Sequence, residues 1–216
     1  MSQAGWLLLL LAGRLESTGH IRARLIRSPT VRRISVVGTP GAGKSTVARE
    51  LARNLGVPFV ELDGIFHQPD WAPLAADEFR RRVAEVTAGD AWVIDGNYSD
   101  VRPLVWARAD TVLWIDLPRM VVMRRLICRT LRRAAFRVEL WNGNRERWAN
   151  FFTWDPERSV ISWAWHRHAV YRQRYGSAMQ DPACAHLRFV RLRSRPAVRR
   201  FLAGTSPGSA GIPLDT

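Results

Sequence analysis

Lysine is nearly missing from this chain: of 33 Lys and Arg residues only Lys44 is a lysine, and the rest are arginines. Cysteine is scarce as well. Cys128 and Cys184 lie far apart without C-x-x-C spacing, which argues against a disulfide scaffold and points to a reducing cytoplasm. His166 and His168 are two apart and fall on different faces of a helix, which argues against a metal pair. Long hydrophobic runs are also lacking. The apolar stretch Trp6–Ala12 is too short to cross a membrane, and no basic residue precedes it as in a secretory signal. No internal repeat is visible. Acidic residues are outnumbered, 19 against 33, for a formal charge of +14. Such a charge suits nucleic acid, an acidic membrane surface or phosphorylated ligands. The arginines are scattered rather than gathered in one block, so arginine-biased composition together with a phosphate-handling site accounts for it.

The one lysine sits in Gly38-Thr39-Pro40-Gly41-Ala42-Gly43-Lys44-Ser45-Thr46, the pattern G-x-x-x-x-G-K-[ST]. Its glycines let the backbone curl so that successive N–H groups point at phosphate oxygens. Lysine brings a slender point charge to the β- and γ-phosphates, where a planar guanidinium would not fit. Ser45 offers a hydroxyl to Mg²⁺. The motif implies a bound nucleoside triphosphate.

At 216 residues and 47% apolar content, the chain fits one domain with a full core. Ile34–Val37 reads as a strand ending at the glycine loop. Val47, Ala48, Leu51, Ala52 and Leu55 then follow at helical spacing, with Gly56 as the stop. Further strands are expected at Phe59–Leu62, Trp92–Ile94, Thr111–Ile115 and Leu187–Leu192, and a helix over Asp77–Val86. A long segment, 119–180, holds an arginine-dense helix, a Trp/Asn/Gly stretch and a second helix from about Pro156 to Tyr175. Helices between strands imply parallel pairing. The expected fold is a three-layer α/β P-loop NTPase fold: a five-stranded parallel sheet, helices on both faces and an arginine-rich lid insertion. Residues 1–30 read as an extension ahead of a native start near Val31, residues 31–204 as the domain with a lid at about 129–158, and 205–216 as a disordered tail.

Trp92-Val93-Ile94-Asp95-Gly96-Asn97-Tyr98 resembles the strand-Asp-Gly signature of adenylate kinase relatives. Asp116-Leu117-Pro118 with Arg125 and Arg129 is similar to their approach to the lid. Together with Leu62-Asp63-Gly64, Asp70-Trp71 and Trp141-Asn142-Gly143-Asn144-Arg145-Glu146, the chain resembles the adenylate kinase-like proteins known as DNA topology modulation proteins, over about residues 31–204. The resemblance implies that Asp95 holds a water of the Mg²⁺ shell, that Arg125 stacks on adenine and that Arg129 meets the phosphates. Arg132, Arg133 and Arg137 continue that face toward the lid, with Arg145 and Arg147 beyond. Glu61 and Asp63, two apart at a strand end, are expected on one face, where an acid of shikimate kinase-like relatives meets the acceptor or metal-bound water. Asp63 would orient and deprotonate the acceptor hydroxyl, beside a pocket walled by Phe66, His67 and Trp71. Asp116, just ahead of Leu117-Pro118, reads as a helix cap. Adenylate kinases follow Asp-Gly with Phe-Pro-Arg, whereas Asn97-Tyr98-Ser99 stands here and Arg102 is out of register.

These features point to a Mg²⁺- and ATP-dependent phosphotransferase acting on a small molecule or nucleotide. The catalytic candidates are Lys44, Asp63, Arg125, Arg129 and Arg133, and the metal candidates Ser45 and Asp95. A nucleotide-gated nucleic-acid-binding or DNA-topology-related regulatory protein, or a polynucleotide kinase, is the alternative.

Overall fold

The computed structural model of the protein describes residues 32–136, 138–144 and 160–205. Residues 1–31, Arg137, residues 145–159 (Arg145 and Arg147 among them) and those beyond Thr205, on which the expected extension, much of the expected lid and the expected tail fall, lie outside these. Five strands form one parallel sheet: β1 (Arg33–Gly38), β2 (Phe59–Glu61), β3 (Trp92–Asp95), β4 (Thr111–Ile115) and β5 (Arg188–Leu192). Their spatial order is β2-β3-β1-β4-β5. The helices are α1 (Lys44–Leu55), α2 (Leu62–Phe66), α3 (Ala76–Thr87), α4 (Arg102–Arg108), α5 (Arg119–Ala135), α6 (Val160–Ala178) and α7 (Arg195–Ala203).

Strand side chains alternate between two cores, one on each face of the sheet. Ile34, Val36, Val93, Leu113 and Ile115 pack with Val47 and Leu51 of α1, Val122 of α5 and Phe201 of α7. Val37, Trp92, Ile94, Val112 and Trp114 face the other way, onto Phe79 of α3, Val105 of α4 and Tyr175 of α6. This is the expected three-layer arrangement. Helix α1 ends at Gly56, whose left-handed backbone (φ 66°) lets its N–H reach the carbonyls of Ala52 and Arg53.

Three expectations change. Strand β2 ends at Glu61 and α2 begins at Leu62, so the two-residue alternation that would align Glu61 with Asp63 no longer applies. Asp116 caps no helix. The first turn of α5 bonds to the Pro118 carbonyl through the N–H groups of Val121 and Val122, at 3.0 and 3.1 Å. Asp116 lies instead at the buried end of β4, where Arg191 reaches one carboxylate oxygen at 2.6 and 2.9 Å and Arg172 the other at 3.1 Å. Thr205, assigned to the tail, is 3% exposed, with its hydroxyl donating to the Leu202 carbonyl at 2.8 Å. Helices α4 and α7, unforeseen, each begin with an Arg-Pro pair. Proline suits the first helical turn, where its missing N–H costs nothing.

Candidate active site

The glycine loop leaves the carboxyl end of β1, at the centre of the sheet, where open α/β sheets place their ligands. Two of its glycines are required by contact. A Cβ on Gly38 (φ 145°) would lie 2.5 Å from the Ile115 carbonyl oxygen, and one on Gly41 (φ 86°) would lie 2.7 Å from that of Val122. Helix α5 thus presses directly on the loop. No side chain caps α1, whose N-cap is Gly43, so its first N–H groups are left for an anion.

Sheet register brings the acids to this loop. Val36 pairs with Asp95, and Asp95 with Glu61. Ser45 Oγ donates to Asp95 Oδ2 at 2.5 Å. Asp95 is 3% exposed, and its other oxygen, Oδ1, has no hydrogen-bond partner among the described residues. Burial pushes the Asp95 carboxyl above the ordinary range, opposed by the Lys44 charge and the Ser45 hydrogen bond. Burial likewise lowers the Lys44 amine, opposed chiefly by Asp95 and Asp63. A hydroxyl and a buried carboxylate with one unsatisfied oxygen suit a hard divalent cation.

A cavity of about 830 Å³ opens over the loop, lined by Gly41–Val47, by Arg125, Arg129 and Arg133 of α5, and by Trp141. The three arginines are four residues apart and share one face, as expected. Arg125 Nη1 donates to the Ala42 carbonyl at 3.1 Å, so this guanidinium is anchored on the loop itself. Its pKa is lowered by burial and by the neighbouring charge of Arg195. Arg132 departs from expectation, being exposed and outside the cavity lining. Gly38, Thr39 and Pro40 stand behind the lining, where the Thr39 carbonyl accepts from Ala42 N at 3.0 Å and closes the turn. Arg195 and Arg199 of α7 also line the cavity. Sequence reasoning missed both, although their i,i+4 spacing just after β5 was visible.

Glu61 and Asp63 diverge. Glu61 pairs with Arg49 at 2.8 Å and lines the cavity. Asp63, in the first turn of α2, accepts the Tyr98 hydroxyl at 2.7 Å, and His67 Nε2 lies 3.5 Å from the same hydroxyl. Burial lowers the His67 pKa, opposed by Asp63. Phe66, expected to wall a pocket, packs instead on Phe79 and Tyr98 at 5.2 and 4.7 Å between ring centroids. His67 does meet Trp71, at 5.2 Å, and Trp141 joins them from beyond α5. Asn97 was also missed. Its Oδ1 accepts Gly38 N–H at 3.3 Å and the Tyr175 hydroxyl at 2.9 Å, while its Nδ2 donates back to the Gly38 carbonyl.

Residues 34–116 match the family model described as the ATPase family associated with various cellular activities (AAA). The chain is 32% identical over 100 residues to a putative adenylate kinase of Pyrococcus furiosus, covering 43% of this chain and 53% of that protein. It is 54% identical over 35 residues to a shikimate kinase of Paracidovorax citrulli, covering 16% of this chain and 19% of that one. The chain therefore spans about half the length of the first relative and about a fifth of the second. Among solved structures it is similar to the shikimate kinase from Acinetobacter baumannii in complex with shikimate, at 21% identity and a TM-score of 0.47, covering 81% of this chain and 90% of that one. Sheet order, the loop after β1 and the match over 34–116 make this an α/β P-loop fold.

Proposed function

We propose that the protein is a Mg²⁺- and ATP-dependent phosphotransferase of the adenylate kinase-like class, working in the cytoplasm on a hydroxyl-bearing small molecule or nucleotide. One observation carries the reading: the sheet register sets Asp95, which Ser45 bonds, beside Glu61, and Asp63, two residues further on, accepts the Tyr98 hydroxyl, so a second acid follows the strand next to the metal corner. The kinase names of the relatives support it. Loop N–H groups from Gly41 to Thr46 and the Lys44 amine would bind the phosphates. Ser45 and Asp95 would hold Mg²⁺, which when bound neutralises phosphate charge. Arg125 would stack on the base, and Arg129 and Arg133, which line the same cavity, would meet the charge that develops on equatorial oxygens. Asp63, held in place by Tyr98, orients the acceptor hydroxyl and takes its proton as the oxygen attacks the γ-phosphorus and ADP departs. In this reading residues 31–204 form the kinase domain, with a lid over about 129–158, and the chain groups with the DNA topology modulation proteins.

The test is a ³¹P-monitored screen of alcohols, sugars and nucleosides with ATP and Mg²⁺. Transfer to at least one acceptor, at a rate well above ATP hydrolysis, is expected. No transfer, combined with tight DNA binding at physiological salt, would favour the regulatory alternative.

A further inference from the structure

Two sequence motifs that phosphate chemistry leaves unused, Asp70-Trp71 and Trp141-Asn142-Gly143-Asn144, meet in space. Asn144 is 4% exposed, and both ends of its amide are bonded. Its Oδ1 accepts the Trp71 backbone N–H at 2.8 Å, and its Nδ2 donates to the carbonyls of Gln68 and Trp141 at 2.8 and 2.9 Å. Asn142 adds bonds from its side-chain amide to the carbonyls of His67 and Gly64. Asp70, Trp71 and Asn142 all take the left-handed backbone conformation, with φ of 58°, 61° and 55°. Non-glycine residues hold that conformation where the surroundings enforce it. The clasp supplies that enforcement.

Its consequence lies in Trp141. This indole lines the nucleotide cavity along with Arg125 and Arg133. It also packs against Gly64, where an added Cβ would sit 3.1 Å from Trp141 Cδ1, and stacks on His67 at 6.1 Å. Gly64 and His67 both belong to the acceptor loop, the segment that runs from Asp63 in α2 through the end of that helix to Trp71. One side chain is therefore a wall of the nucleotide cavity and of the acceptor loop together.

We propose that Asn144 is a positioning residue that ties Trp141 to the acceptor loop, so that nucleotide entering the cavity orders residues 64–71 around Asp63. The inference rests on the phosphotransferase reading. A ligand that restricts Trp141 restricts whatever is fastened to it, and an acceptor arriving second then meets a loop already ordered. By linkage the acceptor strengthens nucleotide binding by the same factor.

Hydrogen exchange of the full chain, with and without Mg·AMP-PNP, tests this, with nucleotide binding measured separately by calorimetry. In the wild type the nucleotide is expected to slow exchange of the 64–71 amides, that of Trp71 included, by about tenfold. In Asn144→Ala, nucleotide should bind within about threefold of wild type, because Asn144 does not line the cavity, while the slowing at 64–71 disappears. Asn142→Ala, which removes an exposed side chain, should reduce the slowing without touching the buried amide. A merely structural asparagine would raise exchange equally in both states. Bound nucleotide that leaves 64–71 unchanged in the wild type, or full slowing retained in Asn144→Ala, overturns the proposal. Failure of nucleotide to bind the wild type at all overturns the phosphotransferase reading, and this inference with it.

Discussion

Asn97→Ala should loosen the phosphate loop at its root. The substitution removes at least three hydrogen bonds, two exchanged with the Gly38 backbone and one from the Tyr175 hydroxyl, as well as the side-chain bond with Tyr171. At about 1 kcal/mol net each, the loss is at least about 3 kcal/mol. Tyr175 is fully buried, so stranding its hydroxyl adds on the order of 1–2 kcal/mol. For a chain of this size the melting temperature should fall on the order of 10 °C, readable by circular dichroism, with the urea m-value unchanged. Tyr175→Phe removes only one of the bonds and should cost about 1 kcal/mol. Because that bond is shared, Tyr175→Phe made in the Asn97→Ala background should be close to neutral or recover stability. Mg·ATP affinity should fall in Asn97→Ala and hold in Tyr175→Phe, since of these two side chains Asn97 is the one that bonds the Gly38 backbone. A melting temperature for Asn97→Ala within about 2 °C of wild type, or fully additive single effects, would refute the reasoning.

Other perturbations separate the parts of the site. Gly38→Ala sets a Cβ 2.5 Å from the Ile115 carbonyl and should destabilise by at least about 3 kcal/mol, read from urea unfolding. Asp95→Asn should raise the Mg²⁺ concentration needed for half-maximal activity, whereas Asp63→Asn should leave calorimetric ATP affinity intact and reduce transfer; the reverse pattern would exchange their roles. His67 is held below its ordinary pKa of 6.5 by burial, so on acidification the unfolded chain takes up this proton before the native one does. Stability should therefore decline as pH falls through about 6.5 toward the lowered native value, by at most about 1.4 kcal/mol per pH unit, and His67→Gln should flatten that decline in pH-dependent urea unfolding.

What could be read in advance follows the range of each interaction. The loop, α1 and β1 are set by neighbours in sequence, and the spacing of Gly38, Gly43 and Lys44 carries them whole. The arginine face of α5 is legible for the same reason, since i,i+4 spacing is local. Asp63 could be picked out, but its separation from Glu61 could not, because the strand-to-helix change at Leu62 breaks the alternation within two residues. Asp116 was misread for a different reason. Its partner Arg191 is 75 residues away and meets it only when β5 pairs with β4. The bond between Asn144 and Trp71 spans 73 residues and that between Asn97 and Tyr175 spans 78. No periodicity announces such bonds, which exist only once the sheet is assembled.

The account stands most directly on Lys44, the chain's one lysine. The decisive measurement is γ-phosphate release or transfer from Mg·ATP by wild type and by Lys44→Ala, with binding followed by calorimetry. The amine should be the only compact charge able to reach the β- and γ-phosphates from the loop, so the variant should lose activity by about a thousandfold or more and bind ATP more weakly. Phosphate release and ATP affinity equal to wild type in Lys44→Ala would contradict the account.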